Sequence, residues 1–279
     1  MREITAETIN SFNDYLINEE KASATVNKYL HDVGEFKLWL GEKELNKVAV
    51  LAYKSYLCEK HAPVSVNAAL SSLNIFFNFM EWYDLRVKNL KIQKQIFASA
   101  DKELTKAEYD RLLQAAKQKK NERLYLLMQT ICSTGIRVSE VRYVTVETVA
   151  RGVAEINCKG KRRQVFLPKQ LCQLLKRYIK EQKIKSGAVF VTKNGNPLDR
   201  SNIWSDMKKL CKAANVSEKK VFSHNLRHLF ARTYYSLQKD IVRLADILGH
   251  SSVNTTRIYT METGEIHRRQ IQKLGLLRC

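Results

Sequence analysis

The sequence predicts a mainly α protein in two units, and three observations lead there. Apolar residues recur every three to four positions through residues 26–40 and again through 66–80. Residues 86–103, "RVKNLKIQKQIFASADKE", lose that period and turn polar and basic, as an interdomain linker does. Beyond them only "GVAEINC", "QVFLP" and "GAVFVTKNGNP" have the short, β-branched character of strands, and the remainder is again helical.

Each element follows from its own signals. Residues 5–18 open with a first helix, and "TVNKYLHDVGEFKLWL" makes a second through Val26, Tyr29, Leu30, Val33, Phe36 and Leu40. "ELNKVAVLAYKSYLCEK" supplies a third, and "SVNAALSSLNIFFNFM" a fourth. Phe76, Phe77, Phe79 and Trp82 at helical spacing are assigned to the core of this bundle. After the linker, Thr105 with Glu108 three residues on forms a capping box, and helices are expected through residue 142. Two short strands then flank "KGKRR", a basic hairpin tip, and a third strand ends in Asn-Gly turn chemistry. From about residue 199 the pattern is helical, with Asp240 opening one helix and Gly249 closing it. The expected domains are residues 1–95, a linker at 96–103, and residues 104–279.

Composition narrows the function. No run of about 18 apolar residues exists for a membrane span. "MREITAETINSF" lacks the basic-then-apolar layout of a signal peptide. Six scattered cysteines without a CxxC pair fit free thiols in a reducing compartment. Residues 1–95 carry 12 basic against 12 acidic side chains and residues 96–279 carry 36 against 16, so the whole excess of +20 lies in the second part. That imbalance points to a polyanionic partner gripped mainly by the second unit.

The candidate chemistry gathers in three segments. In "FSHNLRHLFART", His224, Arg227 and His228 share one helix face at i, i+3, i+4 spacing. His224 and His228 have the spacing of a zinc helix, but Asn225 stands where the catalytic Glu would be, so no metal is expected. No GxxxxGK[ST] loop implies ATP, and no serine sits in a nucleophile elbow. In "CSTGIRVSEV", Arg137 follows a Thr-Gly at a helix start and Glu140 can brace its guanidinium, although a purely structural pair reads equally well. "LGHSSVNTTRIYT" adds His250 and Tyr259. Together these are the parts for metal-free phosphodiester cleavage. Two arginines bind the non-bridging oxygens, histidine donates to them or handles a proton, and a tyrosine oxygen attacks phosphorus.

These segments, with the "KG" hairpin and the N-terminal "TVNKYLHDVGEFKLWL", resemble the tyrosine recombinases of the phage integrase family, close in layout to the Xer type. The likeness runs over essentially the whole chain, with 26 residues from His224 to His250 and nine more to Tyr259. The resemblance implies that Arg137, Lys159, His224, Arg227 and His250 are catalytic, that Glu140 supports them, and that Tyr259 is the nucleophile. Cys158 replaces the usual glycine before the hairpin lysine, and Lys161 is the alternative general acid to Lys159. Lys161, Arg162 and Arg163 are expected on DNA, and His228 packs beside the site.

The family's architecture is a helical, SAM-like core-binding domain and a mostly helical catalytic domain with a small β-sheet, together a C-shaped clamp on duplex DNA. Its activity is cleavage and rejoining of DNA at a specific site through a 3′-phosphotyrosyl intermediate, with strand exchange through a Holliday junction. No cofactor is implied. The expected assembly is a homotetramer on two recombination sites, with a second recombinase or accessory protein left open. The expected compartment is the cytoplasm, with the nucleoid. The tail pattern Ile266, Ile271, Leu274, Leu277 suits a helix docked on a neighbouring subunit or, alternatively, on its own domain. Two rival functions stay open on the sequence. A type IB topoisomerase shares the chemistry, and a DNA-binding regulator can be built on an inactivated recombinase fold.

Overall fold

The computed structural model describes residues 2–92, 102–158, 161–192, 194–259 and 271–274. Within it the chain divides into two compact units, Met1–Lys94 and Gln95–Cys279.

The first unit contains helices α1 (Ala6–Asn18), α2 (Ser23–Leu40), α3 (Lys47–Lys60) and α4 (Pro63–Phe79). Thr5 and Asn46 cap α1 and α3 with their side-chain oxygens, and Pro63 opens α4 where no amide hydrogen is needed. The periodic apolar faces meet in an aromatic core. Phe12 lies edge-on to Phe76 at 5.1 Å, and Phe36 edge-on to Phe77 at 6.1 Å. Phe79 and Trp82 pack at its margin.

The unit does not end where the period is lost. Asn74 exchanges two hydrogen bonds with the backbone of Val87 (2.8 and 2.9 Å), and Asn67 does the same with Leu90 (2.9 and 2.7 Å). These amides tie the extended, basic-looking segment to α4. The start of the stretch read as linker is therefore a packed strap, because side-chain amides satisfy its backbone in place of a periodic core face.

The second unit contains α5 (Lys106–Gln118), α6 (Glu122–Thr134), α7 (Val146–Arg151), β1 (Val153–Cys158), β2 (Lys161–Phe166) and α8 (Lys169–Glu181). It continues with α9 (Arg200–Lys208), α10 (Cys211–Ala214), α11 (Ser223–Gln238), α12 (Ile241–Leu248) and α13 (Val253–Thr256). Thr105 and Glu108 form the expected capping box on α5, the Glu108 carboxylate accepting from the Thr105 amide at 2.8 Å. Fully buried Leu112, Met128, Ile131, Leu175 and Leu226 belong to one core shared by α5, α6, α8 and α11.

Two strand expectations need correction. Strand β2 begins at Lys161, with Asn157 opposite Arg162 and Ile156 opposite Arg163. Three of the five residues read as a hairpin tip are therefore in the ladder, and Arg162 and Arg163 point to opposite faces. The third strand is absent among the described residues: single bridges join Thr145 to Ala188 and Val191 to Pro197. Pro197 has no amide hydrogen to extend a ladder, and Gly195 turns the chain at φ +80°. Among the described residues no helix is long and apolar enough to cross a membrane.

Candidate active site

The site is assembled by backbone turns that deliver side chains to one buried arginine. α6 ends at Gly135, whose φ of +66° reverses the chain; a Cβ there would meet Phe230 at 2.5 Å. The chain then enters a short 3₁₀ turn, Val138–Tyr143, with Arg137 at its start. This turn stands where the sequence suggested an amphipathic helix. α12 ends similarly at Gly249, φ +64°, where a Cβ would lie 2.4 Å from Arg163 Cδ. That close approach puts His250 directly after α12 and beside the strand that carries Arg163.

Arg227, on α11, is only 1% exposed. Its Nη1 donates to Gly135 O at 2.6 Å and its Nη2 to Leu248 O at 2.7 Å, so it staples the ends of α6 and α12 together. Nη2 also lies 3.0 Å from His250 Nε2, and Tyr259 is near enough to act on the charge of the guanidinium. Arginine can only donate, so His250 Nε2 accepts and the imidazole proton sits on Nδ1. Nδ1 then donates to Thr256 Oγ1 at 2.9 Å. Burial, together with Arg137 and Arg163, lowers the Arg227 pKa to about 10, and it stays charged at neutral pH.

Arg137 is the more open partner, with 39% of its side chain exposed. Glu140 holds it twice, accepting from its backbone amide and from Nη1, each at 2.9 Å. Glu140 is buried. Burial pushes its pKa up, but the Arg137 amide and the charges of Arg163 and Arg137 outweigh that and hold it below the usual carboxylate range. Arg137 Nη2 reaches Gly249 O at 3.3 Å.

Arg163, expected on DNA, instead faces inward. Its guanidinium is shared between Glu140 and Ile247 O, and its side chain is 13% exposed. The alternation of β2 turns it under the Gly249 loop, while Arg162 is exposed on the other face. Lys159 lies outside the described residues, and Lys161 is placed only as the first residue of β2.

The imidazoles sit in a positive field. Burial first, then Arg227, Arg137 and Arg200, lowers the pKa of His224. His250 falls to about 4 through burial, Arg227, Arg137 and Arg163. His228 also falls to about 4, through burial, His224 and Arg232. All three are neutral at pH 7. His228 packs its ring 4.7 Å from Tyr259 at 85° and 4.6 Å from His224, so it sits inside the cluster and not merely beside it. Tyr259 is 3% exposed, between His228 and the His250 ring at 6.0 Å. The structure thus gathers Arg137, Glu140, His224, Arg227, His250 and Tyr259. The roles of Gly135 O and Thr256 had no sequence signal; only the fold reveals which carbonyl and which of two adjacent threonines turn inward.

The site combines a buried positive field, neutral imidazoles and a tyrosine. Comparison with known proteins makes the class specific. Residues 102–265 match the phage integrase family and residues 9–83 the phage integrase N-terminal SAM-like domain. The chain belongs to the phage integrase family: it is a tyrosine recombinase, an enzyme of site-specific DNA recombination. Tyrosine recombinase XerA of Thermococcus kodakarensis is 30% identical, over 97% of this chain and 96% of its own. A crystal structure of XerA recombinase covers 98% of this chain and 99% of its own, at 25% identity and a TM-score of 0.54. A lambda integrase tetramer bound to a Holliday junction shares the fold at a TM-score of 0.74 and 17% identity, over 91% of this chain and 76% of its own.

Proposed function

We propose that this recombinase cleaves DNA by attack of Tyr259 Oη on a phosphodiester held by Arg137 and Arg227. The observation that carries the reading is the single buried guanidinium of Arg227. It bonds His250 and the ends of two helices at once, and the tyrosine acts on its charge. In the step, the Oη–P bond forms as the P–O5′ bond breaks, leaving a 3′-phosphotyrosyl link. The phenolic proton passes to the neutral imidazole of His224, since both nitrogens of His250 are engaged, and Lys159 on the hairpin protonates the departing 5′-oxygen. Arg137 and Arg227 stabilise the charge that builds on the non-bridging oxygens. Glu140 positions Arg137 and, through Arg163, strand β2. Attack of a 5′-hydroxyl from a partner strand reverses the step and rejoins the DNA.

The domain roles follow the same reading: the first unit grips the core site, and the second performs the chemistry with Arg162 and Lys161 near the backbone. The assembly is a homotetramer on two sites that exchanges strands through a Holliday junction, as the lambda integrase complex suggests. Ile271 and Leu274 are exposed, which favours docking of the tail on a neighbouring subunit. The enzyme works on cytoplasmic DNA.

The test works with the target sequence unidentified. The protein is incubated in EDTA with sheared DNA from its source, denatured, and its linked fragments are sequenced, with Tyr259→Phe in parallel. Recurrent ends at one sequence, absent from the mutant, are expected. Links scattered over many sequences would instead indicate a topoisomerase.

A further inference from the structure

Two concavities meet at Arg137 and Ser139. The larger, about 650 Å³, includes Glu140 and Asp246 in its wall beside Arg162, Arg163 and His250. The smaller, about 180 Å³, is lined by Ile136, Arg137, Val138, Ser139, Arg200, Ser223, His224 and Arg227. It contains three guanidiniums, an imidazole and two serine hydroxyls, and no carboxylate. Arg200 is the unassigned member.

Arg200 is the first residue of α9. Asp199, which precedes it, is occupied as the helix cap: its Oδ1 accepts from Asn202 N at 2.7 Å. Among the described residues Arg200 makes no hydrogen bond and no ion pair. The other two arginines are largely committed, Arg227 to Gly135 O, Leu248 O and His250, and Arg137 to Glu140 and Gly249 O. Arg200 therefore brings the cavity's one guanidinium with its full fork of donors available, a geometry that suits two phosphate oxygens. Its charge is felt inside the site, where it contributes to holding the His224 pKa down.

We propose that Arg200 is a further phosphate-binding residue of this enzyme, its guanidinium holding a DNA phosphate in the small cavity with Arg137, His224 and Arg227. The proposal rests on the reading of this site as the place of phosphodiester cleavage. A phosphate seated there meets Arg200 from α9 while Arg227 stays fixed from below. The reaction then draws on one cation that is exposed and uncommitted and one that is buried and fixed.

The test compares wild type with Arg200→Ala and Arg200→Lys. On random duplex DNA the loss of one phosphate contact lowers the salt slope of binding by about one in Arg200→Ala. On the captured target, adduct formation slows roughly 10- to 100-fold in Arg200→Ala, as for loss of one charge-stabilising donor, and Arg200→Lys recovers part of it. The acid limb of its pH profile also moves up as His224 loses a positive neighbour. Methylphosphonates placed one at a time at the scissile and flanking phosphates then find the contact. The penalty of Arg200→Ala disappears on the substrate lacking the charge that Arg200 meets. An Arg200→Ala enzyme with wild-type rate and salt slope, or an equal penalty on every methylphosphonate substrate, overturns the proposal. Absence of adducts from wild type would strike the cleavage reading instead, and the salt slope would still decide whether Arg200 touches phosphate.

Discussion

The two units treat burial differently. Among the described residues the first unit buries Ser72 as its one polar side chain, whereas the second buries Glu140, Asn225, Arg227 and Thr256, among others. The first core is aromatic and non-specific in its chemistry: Phe12, Phe36, Phe76 and Phe77 interlock and ask nothing of one another but shape. The second holds a charge at its centre, and that charge is tolerable because carbonyls, an imidazole and a phenol surround it. That buried polarity costs stability, and it coincides with the residues proposed for cleavage.

The sharpest way to break this comparison is to remove one centre at a time. Arg227→Leu leaves Gly135 O and Leu248 O without partners in the interior. It should cost the second unit about 3–5 kcal/mol and reduce adduct formation on the order of 10³-fold. Phe76→Ala should cost a similar 3–5 kcal/mol, but confined to the first unit. Hydrogen exchange on the full chain separates the two effects, because protection should fall in α6, α11 and α12 for one variant and in α1 and α4 for the other. A loss spread over both units in either variant would show that they do not fold as separate cores.

Acid should act on one unit alone. His228 and His250 have folded pKa values of about 4 against an ordinary value near 6.5. Above pH 6.5 both groups are neutral in folded and unfolded chains and add no pH dependence. Between pH 6.5 and 4 the unfolded chain binds protons that the folded one refuses, so the second unit loses stability as pH falls. The same field gives a binding signature. A phosphate arriving beside His224 and His250 raises their pKa, so DNA binding near pH 5–6 should take up protons, measured as a dependence of binding heat on buffer. A first unit that loses protection in this window as fast as the second would contradict the assignment.

The smallest effect expected is at the edge of the network. Thr256→Val removes the acceptor of His250 Nδ1 and should cost about 1 kcal/mol while slowing adduct formation roughly 10-fold, because the ring loses one of the two bonds that orient it. An unchanged rate would mean that Arg227 alone sets the imidazole.

Much of this was legible in the sequence, for physical reasons that differ by element. The four helices of the first unit declare themselves because each buries one apolar stripe with a 3.6-residue period. The capping box at Thr105 and the glycine stop at Gly249 are local rules that hold locally. His224 and Arg227 stand out by their spacing on an apolar helix, whereas Tyr259, read singly an ordinary half-buried aromatic, and His250 are assigned through the resemblance of their segment to the family. Arg163 did not, because a charge in a basic run reads as solvent-facing until the strand register and the missing Cβ of Gly249 turn it inward. The strap over residues 87–90 was equally silent, since its anchors are two asparagines on α4 distant in sequence. The packing of His228 against Tyr259 depends on how α11 faces the chain end, which no periodicity encodes.

The most direct test of the central claim examines the covalent link itself. The captured protein–DNA adduct is digested with nuclease and protease, and the modified peptide is sequenced by mass spectrometry. The account predicts a single modified residue, Tyr259, carrying a nucleotide through its 3′-phosphate. A nucleotide on any other residue, or one joined through a 5′-phosphate, would contradict it.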